Sequence, residues 1–306
     1  MTLQATGAVS FSQINTELLK SPTAQIALDD SLVRGLFGVT SGAIGINNGY
    51  SKQYRIWANI TISANTANYS LTSAVVNTFL SSGYVAGITD TIITINSGIY
   101  VYSPSTATPA FSISSFASGD TVKIINNGTI IGAGGAGGTG ANYGGTGGDG
   151  GTGGTALYVR FATTYVGTVA NNSTLAGGGG GGGGSGWLSR VVSNGKGSQT
   201  NTYAGGGGGG GAGYTAGTGG SGGSGGNQGS GDIGSNGTLT VGGGGGGNQG
   251  FIGAGDGGAL GADGTAGQYT NSGAAGIRGY YLDGSNYVTF PTEFYPWGYF
   301  NGNFLP

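Results

Sequence analysis

Few residues in this chain can do acid–base or metal chemistry. Histidine and cysteine are both absent from the 306 residues. That removes the commonest general base, the commonest metal ligand, and every thiolate or disulfide. Only 11 carboxylates are present, and Glu17 and Glu293 are the only glutamates. A glycosidase needs two acids set across the scissile bond, and so thin a supply argues against an enzyme. Asp149, Asp232, Asp256 and Asp263 stand in glycine-rich surroundings. A calcium-binding β-roll repeats Gly-Gly-x-Gly-x-Asp-x-aliphatic nonapeptides in tandem. Residues 258–265 match that pattern only in part, and once. These acids read as solvated groups or turn caps, and neither metal nor cofactor is expected. Gly195-Lys196 is followed by Gly197 rather than Ser or Thr, so a phosphate-binding loop fails at its last position.

The chain is better supplied for recognition. Large side chains interrupt long glycine tracts at Asn142-Tyr143, Trp187 to Tyr203, Tyr214, Asn227-Gln228, Asn248 to Phe251 and Gln268 to Asn271. Tyr and Trp beside Asn, Gln, Ser and Gly combine rigid aromatic area with adaptable hydrogen bonding, as antibody paratopes do. The contact candidates are Tyr143, Trp187, Arg190, Lys196, Tyr203, Tyr214, Phe251 and Tyr269. Each has a plainer alternative as a turn residue or a local packing plug, because binding hot spots are few.

The elements that must position these loops are unusual. Glycine occurs 76 times and proline 6 times, with the long glycine runs between about 132 and 279. Part of this region keeps a strict beat of three, Gly-Gly-Thr or Gly-Gly-Asp from 144 to 155 and Gly-Gly-Ser or Gly-Gly-Asn from 219 to 227. Three residues per turn is the repeat of a polyproline II helix, which has no internal hydrogen bonds and must find lateral partners. Collagen would need far more proline. The expected fold is therefore a mixed one: a small α+β N-terminal part, then a glycine-rich bundle of packed polyglycine or polyproline II helices with short β leads. Those leads are read in Asn126-Asn127-Gly128-Thr129-Ile130, in Asn171-Asn172-Ser173-Thr174-Leu175 and in Ser235-Asn236-Gly237-Thr238-Leu239, as three equivalent segments.

Four segments follow from composition. Residues 1–52 read as a helical attachment segment, with Ser10 or Ser12 capping one short helix and Asp29 or Asp30 a second that stops at Gly38. Residues 53–130 read as a small α+β segment. It opens with a strand alternating through Ile56, Ala58, Ile60 and Ile62, has a helix between Ser70 and Ser82, and continues with strands at 91–95, 99–102, 111–116 and 121–125. Residues 131–279 form the glycine region, and 280–306 an aromatic C-terminal cap. Charged residues are 7% and the net charge is −2, which builds no nucleic-acid surface. No apolar run reaches the length of a membrane span, and no signal peptide is expected at residues 1–10.

Two features together resemble tailed-phage tail proteins. Residues 9–18, Val-Ser-Phe-Ser-Gln-Ile-Asn-Thr-Glu-Leu, with Leu-Val-Arg-Gly-Leu-Phe-Gly at 32–38, look like an N-terminal motif of tail-tip and tail-fibre proteins. The interrupted glycine region resembles the receptor-recognition domain of the distal adhesins of T-even-like phages. The resemblance implies stacked polyglycine II helices whose connecting loops touch the host. It implies a virion protein at the tail or fibre tip, with a host surface protein or glycan as one partner. Other tail proteins, reached through the N-terminal segment, would be the second, and a homo-oligomer is allowed. The alternative is a structural tail-tip or fibre component without receptor contact. An ice-binding glycine bundle and a disordered linker are weaker rivals: Asp149 interrupts the threonine row, and the repeated leads and interleaved aromatics speak against a linker.

Overall fold

The computed structural model describes residues 3–167, 173–193, 195, 197–248, 252–290, 300–301 and 303–305. Two short helices open the chain. Helix α1 (Phe11–Glu17) is capped by Ser10, whose side chain accepts from the Gln13 backbone N–H while Gln13 reaches back to Ser10. Helix α2 (Ser31–Phe37) stops at Gly38, which adopts the left-handed conformation that glycine takes without strain. Leu3, Val9, Ile14, Leu18, Val33, Leu36 and Phe37 close a small core of their own.

From residue 56 the chain winds as a coil with three faces, laying one strand on each face per turn. The first turn is β1 (Ile56–Ile62), β2 (Thr66–Ala67) and β3 (Tyr69–Leu71), followed by helix α3 (Ser73–Asn77) capped by Thr72. The second is β4 (Thr89–Ile95), β5 (Tyr100–Tyr102) and β6 (Phe111–Ile113). The third is β7 (Thr121–Asn126), β8 (Thr129–Ile131) and β9 (Leu157–Val159). In the fourth, β10 (Thr163–Gly167) and β11 (Thr174–Ala176) are followed by two excursions, the hairpins β12 (Leu188–Ser193) with β13 (Ser198–Tyr203) and β14 (Gly247–Asn248) with β15 (Ile252–Gly253). The turn then closes with β16 (Tyr280–Asp283), and β17 (Val288–Thr289), β18 (Phe300–Asn301) and β19 (Asn303–Leu305) make the fifth. Each face is a five-stranded sheet, in the orders β1-β4-β7-β10-β17, β2-β5-β8-β11-β18 and β3-β6-β9-β16-β19. Every pairing within these sheets is parallel.

The sequence explains the stack. Strand β1 alternates buried and exposed residues throughout, and its inward Ile60 meets Ile93, then Ile124, then Tyr165 on successive turns. Val101, Ile130 and Leu175 stack on the second face, Phe111, Leu157 and Leu282 on the third. β-branched side chains fill such a pleated, fully covered surface well. Asn126 closes the corner between faces one and two. Its Nδ2 donates to Tyr165 Oη at 2.8 Å and to Thr174 O at 3.1 Å, and its Oδ1 accepts from Gly128 N at 3.0 Å. Burial raises the Tyr165 pKa, and the Asn126 bond only partly offsets it.

The glycine region interrupts turns three and four between the second and third faces. It leaves β8 at 132 and returns at 155, then leaves β11 at 177 and returns at 279. Its tracts run out and back in alternation, bonded side to side at every third residue. Tract 132–141 lies parallel to 177–186 through Gly135 N to Gly179 O, Gly138 N to Gly182 O and Ala141 N to Ser185 O, each 2.9 Å. It lies antiparallel to 145–155 through Gly148 N to Thr139 O, Gly151 N to Ala136 O and Gly154 N to Ala133 O, each 2.7 Å. Backbone amides thus satisfy one another in place of a side-chain core.

This corrects the expected fold class. Regular structure among the described residues is mostly parallel β, and α-helix is confined to α1, α2 and α3. The glycine region is not a bundle of packed helices but a set of laterally bonded extended tracts carried by the coil. The physical reason is that a three-residue beat reports only the spacing of lateral bonds. The parallel pairing joins residues a whole turn apart, which local periodicity does not register. The helix expected from Ser70 to Ser82 shrinks to five residues. Two of the three repeated leads are equivalent, with Thr129 opposite Thr174 and Ile130 opposite Leu175. The third is not a strand: Thr238 N and Val241 O bond across a tight turn at 2.8 Å.

Candidate functional site

The alternation of the tracts sorts their loops onto two ends. At the end away from the coil lie the turn at 142–144, the β12–β13 hairpin, the turn at 225–230, the β14–β15 hairpin and the turn at 269–272. At the coil end lie 213–215, 238–241 and 259–262. The outer loops brace each other. Asn142 Oδ1 accepts from Ser224 N at 2.8 Å and from Ser224 Oγ at 3.1 Å, and Tyr143 N donates to Ser224 O at 3.0 Å. Asn227 clasps the edge of β13: its Oδ1 accepts from Thr202 N at 2.7 Å and its Nδ2 donates to Thr200 O at 2.8 Å. Gln228 Nε2 donates to Asn201 Oδ1 at 3.2 Å, and Asn248 Nδ2 to Ala204 O at 3.1 Å. Gly186 N reaches Gln268 O at 3.0 Å, and Gly147 N reaches Asn271 O at 2.7 Å. Short polar side chains that bond nearby backbone hold such turns without a core.

The proposed contact residues divide accordingly. Tyr143 is 47% exposed and meets Trp187 edge to face, with ring centroids 4.9 Å apart. The Trp187 indole nitrogen is buried without a hydrogen-bond partner among the described residues. Arg190 projects from the exposed hairpin, and Tyr269 is 44% exposed on a left-handed turn. These four share the outer end. Tyr203 belongs to the same hairpin but is 4% exposed at its base, so it supports rather than presents. Tyr214 lies at the opposite end. It stacks on Tyr102 with centroids 3.9 Å apart and leans on Tyr100 at 5.3 Å, while its hydroxyl accepts from Asn65 Nδ2 at 3.3 Å. It fastens the glycine region to the coil. Lys196 and Phe251 fall outside the described residues, as do Phe294, Tyr295, Trp297 and Tyr299 of the aromatic C-terminal segment.

Comparison with known proteins bears on this arrangement. Residues 57–303 match the family model of the phage tail fibre adhesin Gp38. That match spans the coil and the whole glycine region.

The chain belongs to the Gp38 phage tail fibre adhesin family.

It is thus a virion protein of the tail fibre. Among solved structures, the adhesin is similar to the gp37–gp38 adhesin tip complex of the long tail fiber of bacteriophage S16. Identity is 20%, with 98% of this chain and 100% of that chain covered, and the TM-score is 0.47. No curated protein sequence matches it.

The adhesin keeps its described ion pairs away from the loop cluster's aromatics. Arg55 pairs with Asp90 across the first two turns of the coil, and Arg160 with Asp283 at 2.7 Å across the third and fourth. Among the described residues no group of three His, Cys, Asp or Glu is placed to hold a metal. The outer end offers shape, aromatic area and amide hydrogen bonding, with Arg190 as its described charged side chain. Sequence reading missed two hairpin residues. Val191 and Val192 are 62% and 40% exposed. Adjacent valines between Arg190 and Ser193 carry no marker of exposure in sequence, since the same pair would suit a buried strand.

Proposed function

We propose that the adhesin binds a host surface receptor, protein or glycan, through the loop cluster at the outer end of the glycine region. The observation that carries this reading is the sorting of the loops. Tracts of matched length bring Tyr143, Trp187, Arg190 and Tyr269 to one end, remote from the coil. Antibody paratopes combine the same residue types on a rigid base. The N-terminal segments join the protein to another tail-fibre component. Phe11 at 48% on α1, Leu19 at 53% just past its end and Leu32 at 42% on α2 give the N-terminal segment an exposed apolar surface for that contact. No catalytic role is assigned. Asp90, Asp120, Asp149, Asp256, Asp263 and Asp283 each accept hydrogen bonds that hold local structure.

Adsorption competition tests the reading. Purified protein is incubated with bacteria the parent phage infects, and plaques are counted on addition of phage. Saturable binding with fewer plaques is the expected result. Replacing 187–203 by a two-residue glycine turn should abolish it while the coil still folds. Undiminished competition by that variant would refute the loop assignment.

A further inference from the structure

The β12–β13 hairpin has two edges, and the structure treats them differently. Thr202 N donates to Asn227 Oδ1, Thr202 O accepts from Gln228 N at 3.1 Å, and Thr200 O accepts from Asn227 Nδ2. Thr200 and Thr202 therefore turn their backbone groups away from β12, and the segment around 227 covers that edge. Inward and outward backbone groups alternate along an antiparallel pair. The register sets Ser189 opposite Thr202, Val191 opposite Thr200 and Ser193 opposite Ser198. The outward groups of β12 are therefore the N–H and C=O of Ser189, Val191 and Ser193. Among the described residues, no backbone group of another segment bonds to these three.

Open edges are aggregation templates, and proteins blunt them with proline, bulges or cover. Strand β12 has no proline and pairs with β13 in continuous register without a bulge. Its central outward residue, Val191, is also among the most exposed apolar side chains in the molecule.

We infer that the β12 edge docks an extended segment of a host surface protein, which adds as a third strand to the hairpin. The inference rests on the receptor-binding reading and names its mode. A peptide is the occupant the geometry selects. The donors and acceptors repeat every second residue, the spacing of a pairing strand, and Val191 offers apolar contact to its alternate side chains. Main-chain bonds would supply affinity and the side chains specificity.

Two substitutions separate backbone from side chain. In Val191→Pro the missing N–H is one that points away from β13, so the hairpin keeps its own bonds. Val191→Ser keeps the N–H and removes the apolar group. Binding of labelled protein to host cells is measured beside the melting temperature. The expected result is about a tenfold or greater loss of affinity for Val191→Pro, with unchanged melting and less than about a threefold loss for Val191→Ser. Cells shaved with protease should lose binding of the wild-type protein, and periodate-oxidised cells should keep it. Equal binding by folded Val191→Pro overturns the inference, as does periodate-sensitive binding that survives shaving. If Val191→Pro melts lower, Ser189→Pro on the same edge decides by the same criteria. Failure of the wild-type protein to bind cells at all would instead strike the receptor-binding reading.

Discussion

Substituting one interior glycine by alanine should do as much damage as truncating a core residue of an ordinary protein. Gly181 sits in tract 177–186 with neighbours on several sides. A Cβ built on it would lie 1.9 Å from the carbonyl oxygen of Ala136, whereas ordinary contact begins at 3.4 Å. Backbone cannot rotate aside as a side chain does, so the tracts must separate by about 1.5 Å. Gly135 N to Gly179 O and Gly138 N to Gly182 O, both 2.9 Å, join those two tracts and are stretched past bonding by that movement. Gly181 N to Gly151 O and Gly276 N to Gly181 O, both 2.8 Å, tie the displaced residue to other tracts and weaken with it. At about 1 kcal/mol net for each bond, the loss is about 3–4 kcal/mol. It outweighs the roughly 0.4–1 kcal/mol by which alanine stabilises through a less flexible unfolded chain. Gly244→Ala is the matched control, since only Asp256 Oδ1, at 3.9 Å, lies near its Cβ. Calorimetry should show Gly181→Ala melting well below the parent and Gly244→Ala at or slightly above it. Hydrogen exchange should show lost protection across 132–141 and 177–186. If Gly181→Ala melts with the parent, the tracts are not packed at the close lateral spacing that excludes a Cβ.

Two further outcomes follow from the same geometry. Tyr214→Ala should cost about 2 kcal/mol of stability by removing the stack on Tyr102. Cell binding by the folded variant should nevertheless persist, and its loss would place Tyr214 in the binding surface after all. Desolvation raises the Asp90 pKa, but hydrogen bonds from Arg55 and Thr121 outweigh it and the net shift is downward. A depressed carboxylate stabilises the fold above its unfolded pKa, and that contribution fades as pH falls through the folded value. Asp90→Asn should therefore melt below the parent at neutral pH and converge with it in strong acid. A gap that stays constant with pH would show that the ion pair contributes nothing.

Much of the local structure was legible because it depends on near neighbours. Ser10 and Gly38 mark helix ends by cap chemistry alone, and Ile56 to Ile62 alternates as a strand with one buried side must. The coil was not legible. Its strands on the second and third faces run to three or four residues at most where fully described, too few for a period to emerge. The residues that complete turn four, Leu175 and Leu282, are separated in sequence by the long glycine-rich excursion. The same limit explains why Thr238-Leu239 looked equivalent to Thr129-Ile130. The two pairs share a Thr-aliphatic pattern, but only Ile130 has Val101 and Leu175 on adjacent turns to pair with. A strand there is a product of its neighbours, not of its own residues.

The candidate site was legible by residue type and not by position. Aromatic and amide residues between glycine tracts had to lie at tract ends, because a Cβ at nearly every tract glycine meets backbone and the remaining tract positions carry mostly small or short side chains. Which end each occupies depends on counting tracts out and back from the coil. Tyr143 ends an outward tract and faces away from the coil. Tyr214 ends a returning one and is spent against Tyr100 and Tyr102. The same parity explains how such a protein can vary its contact surface. A loop at the outer end is attached to the lattice only through its two flanking tracts and a few Asn and Gln braces. Its length and side chains can therefore change while Gly135, Gly151, Gly181 and their bonded partners stay fixed. The tract glycines tolerate almost no side chain, and that intolerance confines variation to the loops and to positions such as Thr146, Asp149 and Thr152 that already carry one.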